Sequence, residues 1–197
     1  MNFIEKNIQS NLKTLDFGCG QDKIENSIGI DKIKSKTVDI LHNLDQYPYP
    51  FEDNLFDLVV CKHSISHIND LEQTMLEIFR ILKPGGRLLI IAPHFSSDNT
   101  FTDYTIKHFF GYRTLDYFID SNSGLSEKYS FYSKIKFSIL NRRIFMYKSI
   151  RNNLGDYILS AFFLPLDIII NIFPRFYEKF LCFILRANEI TFLLEKK

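Results

Sequence analysis

The stretch that most constrains this chain runs from Leu12 to Asp31, LKTLDFGCGQDKIENSIGID. It reads as a buried strand carrying Leu12, Leu15 and Phe17, followed by a glycine turn at Gly18-Cys19-Gly20. A short connector, with room for only a turn or two of helix, leads into a second strand, Ile28 and Ile30, that ends in Asp31. A side chain at Gly18 or Gly20 would keep a ligand from lying against the backbone. Amides freed after a strand and near a helix N-terminus suit polar or anionic groups. A carboxylate at the end of the following strand can accept hydrogen bonds from both hydroxyls of a ribose. Together these features describe a pocket for an adenosine-containing cofactor.

The remaining chain reads as strand and helix in alternation. A short strand is expected over Thr37–Ile40, and Pro48 and Pro50 then turn the chain. Phe56–Cys61, FDLVVC, is an almost wholly apolar run of the kind found in a central parallel strand. Asn69 or Asp70 can cap a helix running to about Leu82, with Leu71, Met75, Ile78, Phe79 and Leu82 on one face. Lys83-Pro84-Gly85-Gly86 stops that helix, and Arg87–Ala92 is the next strand. Such a pattern builds an α/β, Rossmann-like, doubly wound and mostly parallel sheet. Further on, Tyr129–Leu140 and Arg143–Tyr147 are expected to form an antiparallel pair. A helical region over Gly155–Leu185 is expected to break at Pro165 and Pro174, and Glu189–Leu194 reads as a last strand.

The combination of motifs resembles the class I S-adenosyl-L-methionine (SAM)-dependent methyltransferases, of the type 11-like, short glycine-loop kind. Leu-Asp-Phe-Gly-Cys-Gly matches their first motif, and FEDNLFDLVVCKHSISHINDLEQTMLEIFRILKPGGRLLIIAP follows the family nearly element by element. The resemblance covers roughly residues 12–95. Nicotinamide oxidoreduction is disfavoured, because Lys23 stands where a dinucleotide fingerprint needs its third glycine. Gln21 and Asp22 also replace a glycine common among the methyltransferases, and Ser66 replaces the Glu of their LEH triplet. At 197 residues the chain suits one domain. It divides into a cofactor-binding core over 12–95, an acceptor-binding insertion over 95–128, and a basic, aromatic and apolar C-terminal part over 128–197.

The resemblance implies SAM as cofactor and S-adenosyl-L-homocysteine as product. It places Gly18, Cys19 and Gly20 near the amino-acid part of SAM, with Asp16 shaping the loop or stabilising it without ligand contact. Asp31 is expected at the ribose, Asn43 and Leu44 at the adenine, and Cys61, Lys62 and His63 beside the methionine tail. A base is needed only for a hydroxyl or protonated amine acceptor. His94, directly after the fifth strand, is the first candidate, with a packing role as its alternative; His63 is the second. No His/Asp cluster has metal-ligand spacing, so no metal is expected.

Composition adds bounds on partners. The net charge of +1 gives no global field to recruit nucleic acid. Three cysteines without CxxC spacing point to a reducing cytoplasm. The N-terminus lacks the apolar run of a signal peptide. Between Lys128 and Asn153, Lys128, Lys134, Lys136, Arg142, Arg143, Lys148 and Arg151 alternate with aromatics and meet no acid. Solvated strand faces, a phosphate-bearing or glycan-like acceptor, and peripheral contact with the inner face of a membrane all remain open for this segment; nucleic acid is least favoured. The expected activity is methyl transfer to a hydroxyl or amine of a small or glycan-like acceptor. An inactive SAM-fold scaffold and a membrane-associated lipid or quinone methyltransferase are the alternatives.

Overall fold

The structure is a computed structural model describing residues 12–120, 133–147 and 154–197, with side chains undescribed at 154–157 and 160. Seven strands form one sheet. They are β1 (Thr14–Phe17), β2 (Ser27–Asp31), β3 (Ile40–Leu41), β4 (Phe56–Lys62), β5 (Leu82–Pro93), β6 (Phe137–Phe145) and β7 (Glu189–Lys196), in the order β3-β2-β1-β4-β5-β7-β6. β1 to β5 are mutually parallel, and β7 runs antiparallel to both β5 and β6. The sheet is therefore the expected mostly parallel one, with the antiparallel closing strand inserted beside β5.

The central strands are buried on both faces, which explains their unbroken apolar runs. Val59 and Cys61 of β4 and Leu88 and Ile90 of β5 enter the main core with Phe17, Ile30 and Phe192. Leu58, Val60, Leu89 and Ile91 meet Leu193 on the opposite face. Helix α1 (Leu71–Ile81) covers the main-core side with Met75, Ile78 and Ile81. Asp70 caps it, its carboxylate accepting from Gln73 N at 2.9 Å. At its other end, the buried Lys196 ammonium donates to the Phe79 and Leu82 carbonyls, both at 2.7 Å. The last strand thus fastens the helix that precedes β5.

Five local expectations need correction. No helix forms between β1 and β2; the connector is a series of turns, held by Asp16, whose carboxylate accepts from Ile24 N at 2.8 Å. The third strand lies at Ile40–Leu41, because Asp39 bends back to accept from Gly29 N and Lys23 Nζ. Strand pairing resumes at Leu82, opposite Phe56, so KPGG is a loop inside β5 rather than a spacer before it. The expected antiparallel pair is the single strand β6, which crosses the Asn141 region with a register shift; Tyr129–Tyr132 lie outside the described residues. Finally, α3 (Leu154–Ile172) continues through Pro165; a short helix α2 (Asn99–Thr102) lies earlier, after β5.

Packing outweighs the proline because α3 is fastened to the edge strand β6. Asp167 accepts from Met146 N, and Asn171 accepts from Ile144 N while donating to Ile144 O. These bonds occupy the N–H and C=O of Ile144 on the edge strand and the N–H of Met146 just past it. After Phe173 the chain forms a single turn, α4 (Pro174–Phe176), and then a π-turn over Tyr177–Leu181.

Candidate functional site

Above the carboxyl ends of β1, β2 and β4 lies a cavity of about 630 Å³. Gly18, Asp31, Asn43, Leu44, Lys62 and His63 line it, all named from the sequence. Gly18 has φ +73°, and a Cβ placed there would sit 2.3 Å from Ser64 Cβ. The approach is that close because the Ser64 hydroxyl donates to the Phe17 carbonyl, drawing the loop after β4 onto the end of β1. Glycine is required here by the protein's own packing.

Asp31 joins two loops. One carboxylate oxygen accepts from Gly20 N and the other from Ile33 N, each at 2.9 Å. The Gly20 carbonyl accepts from Ser35 Oγ at 3.0 Å and Thr37 Oγ1 at 2.7 Å. Gly18 N and Cys19 N both reach Ile30 O. The amides of the glycine turn are therefore bonded within the protein, which corrects the expectation that they stand free for a ligand. What the turn offers a ligand is shape, together with Asp31.

The other sequence candidates lie away from the cavity wall. Asp16 is buried beneath the turn, where burial raises its pKa against the lowering effect of the Ile24 N–H. That is the loop-stabilising position. Cys19 packs toward Gly29, and burial pushes its thiol up to about 11. Cys61 is in the main core, its thiol raised well above the ordinary value by burial. Gly20 (φ +55°) turns the chain without lining the cavity.

His63 stands at the exit of β4 with φ +59°, uncommon for a residue with a side chain. Its Nε2 lies 3.1 Å from Oε1 of the buried Glu189, at the start of β7. Beside the large cavity is a smaller polar one of about 260 Å³, lined by Pro93, Asn99, Asp103, Asn188 and Glu189. His63 and His67 line both. His67 Nδ1 is 2.9 Å from Thr105 Oγ1, which ties it to the insertion.

His94 reaches neither cavity. Its ring is fully buried; Ser96 N donates to Nδ1 at 3.2 Å, and Nε2 lies 3.2 Å from Glu178 Oε1. Nδ1 as acceptor leaves the ring proton on Nε2, facing the carboxylate. This arrangement is the packing alternative, and it fastens the insertion to the C-terminal helical segment. Glu178 came from no sequence motif. Ser64, Tyr104, Thr105 and Lys107 at the large cavity, and Glu189 at the small one, likewise carry no local signature. A third, Phe-rich pocket of about 460 Å³ lies among Phe95, Phe101, Phe109 and Phe183.

The cavity fits an adenosine-bearing group. A carboxylate has about four acceptor positions, and two amides occupy only part of that capacity on Asp31. Leu44, Ile33 and Ile68 supply apolar wall for a base.

Comparison with known proteins agrees with this geometry. Residues 19–90 match the family described as Methyltransferase domain (Methyltransf_11). An uncharacterised protein of Methanocaldococcus jannaschii is 34% identical over 114 residues, covering 48% of each chain. A demethylmenaquinone methyltransferase of Staphylococcus saprophyticus is 30% identical over 110 residues, 44% of this chain and 47% of that one. The chain spans about half the length of these two relatives, and a fifth of an uncharacterised Escherichia coli protein that it matches at 48% identity over 42 residues. A SAM-dependent methyltransferase structure from Methanosarcina mazei superposes with a TM-score of 0.54 at 15% identity, covering 100% of this chain and 97% of that one. Another, from Archaeoglobus fulgidus, gives 0.54 at 16% identity over 93% and 86%. The fold is that of the class I SAM-dependent methyltransferases. Within that class, the core resembles the type 11 methyltransferases.

Proposed function

We propose that this chain is a SAM-dependent methyltransferase acting on a hydroxyl or amine of a small or glycan-like acceptor. One observation supports this above the others: two cavities, one fitted to an adenosine-bearing group and one polar, share His63 and His67 as a common wall. Bound in the larger cavity, SAM supplies a methyl group already activated by its sulfonium charge. Asp31 would hold the ribose hydroxyls; Leu44, Ile33 and Asn43 would bound the base. Gly18 keeps the end of β1 low enough for the cofactor to lie across it.

The acceptor would sit in the smaller cavity, against Pro93, Asn188 and Asp103. His63 is the base in this reading. Its Nε2–H faces Glu189, which orients the ring and leaves Nδ1 to take the acceptor's proton. His94 then acts on position alone, through Glu178. The protein's main contribution is to hold donor and acceptor in line.

A quinol-like acceptor methylated at carbon is a second reading. The demethylmenaquinone methyltransferase among the relatives and the pocket of Phe95, Phe101 and Phe109 favour it.

The test is calorimetric titration with S-adenosylhomocysteine, followed by transfer of a labelled methyl group to nucleotide sugars, lipid-linked glycans and quinols. Asp31→Asn gives up charged acceptor bonds worth about 1.5–3 kcal/mol, so binding should weaken roughly tenfold to hundredfold. His63→Gln should lower turnover while leaving S-adenosylhomocysteine affinity within about threefold, because Nδ1 acts on the acceptor's proton. Folded wild-type protein that binds no S-adenosylhomocysteine would overturn the proposal and favour an inactive scaffold.

A further inference from the structure

Among its described side chains, helix α3 carries large apolar residues on two opposite faces. Phe163, Leu166, Asp167, Ile170 and Asn171 follow the helical repeat of one face and pack toward β6. The opposite face carries Phe162 (70% exposed), Ile168, Ile169 and Ile172, all half exposed or more. The apolar surface continues past the helix through Phe173, Phe176, Phe180, Phe183 and Ile184 (80% exposed). Exposed large apolar side chains in this number mark a surface that something covers.

Charge identifies the cover. Between residues 158 and 186 the chain has two acids, and both turn inward. Asp167 accepts from Met146 N; Glu178 accepts from Tyr112 N and faces His94. The cations of the same stretch, Arg175, Lys179 and Arg186, are all exposed. Exposed aromatics and aliphatics interleaved with cations alone match the headgroup and upper acyl region of an anionic bilayer. A symmetric contact between two copies would set these cations against one another. Among the described residues, no helix is long and apolar enough to cross a membrane, so the face would lie along the surface.

We infer that the outer face of α3, α4 and the π-turn after them is a docking surface for an anionic lipid bilayer. Phe183 belongs both to this face and to the Phe-rich pocket, so docking would set that pocket at the lipid boundary. The inference does not depend on methyl transfer, because docking can be read without cofactor or acceptor.

The experiment is flotation of the full chain with phosphatidylcholine vesicles, with and without phosphatidylglycerol, across a salt series. The protein should float with the anionic vesicles, and less so as salt rises. Arg175→Gln/Lys179→Gln removes two cations worth about 1 kcal/mol each at such a surface, so affinity should fall roughly thirtyfold. Phe176→Ser/Phe180→Ser should abolish flotation, and since both rings are more than half exposed, its urea midpoint should match wild type. No flotation with either vesicle would overturn the inference, as would binding indifferent to phosphatidylglycerol and salt. Concentration-dependent dimerisation that the Phe variant abolishes, without vesicle binding by wild type, would assign the face to a second copy instead.

Discussion

Gly18→Ala adds one methyl group where the end of β1 meets the Ser64 side chain, and the structure separates its cost into two parts. At φ +73° an L-residue is strained by about 1–2 kcal/mol. The new Cβ would also stand 2.3 Å from Ser64 Cβ, well inside the ~3.5–4.0 Å of an ordinary carbon contact. Rotating the Ser64 side chain leaves its Cβ in place, so relief needs a main-chain shift against the Ser64–Phe17 hydrogen bond, and the overlap should cost a further ~1–3 kcal/mol. Gly20→Ala isolates the first part: φ is +55°, but nothing lies within 4 Å of its new Cβ. Both variants recover about 0.4–1 kcal/mol from a stiffer unfolded chain. Urea unfolding followed by circular dichroism should therefore place Gly18→Ala about 1–3 kcal/mol below Gly20→Ala. Ser64→Gly opens the space, so in a double-mutant cycle Gly18→Ala should cost no more than Gly20→Ala in that background. Equal losses for the two alanine variants in the wild-type background would refute the argument that β1 and the loop after β4 are locked at this contact.

Two further outcomes follow from buried or bonded charges. Lys196→Met removes the ammonium that donates to Phe79 O, Leu82 O and Asn54 Oδ1, and should cost about 2–4 kcal/mol in urea unfolding; a loss under about 1 kcal/mol would show that α1 does not depend on this strand. Asp39 is held below its ordinary pKa of 3.8 by the Gly29 N–H and then by Lys23. A carboxyl whose folded pKa is depressed stabilises the protein above its unfolded pKa, and that contribution is lost as pH falls through the folded value. Wild type should therefore lose its urea midpoint more steeply below about pH 4 than Asp39→Asn does. The difference should be modest, because Asp39 is partly exposed and solvent screens it. Parallel pH profiles would remove Asp39 from the β2–β3 connection.

The chain's local chemistry was legible from residue order. The apolar runs FDLVVC and RLLIIA, the helical spacing over Leu71–Ile81 with its Asp70 cap, and the turn of Gly18 and Gly20 depend on neighbours a few residues apart, and all formed close to where their patterns lie. The position of Asp31 at the cavity is likewise fixed by strand length and the rule that such cavities form at carboxyl ends. Pairings across long separations were not legible. His63 meets Glu189 because β7 inserts beside β5, and His94 is enclosed because the π-turn brings Glu178 to it. Two histidines that look alike in sequence thus end in different places, one on the cavities and one beneath them. Pro165 shows the same limit from the other side: its local preference ends a helix, but the bonds of Asp167 and Asn171 to β6 outweigh the loss. Sequence periodicity decides which elements form, since that is a short-range balance of propensity and burial. Only the tertiary structure decides which side chains meet, since that depends on how the sheet orders strands distant in the chain.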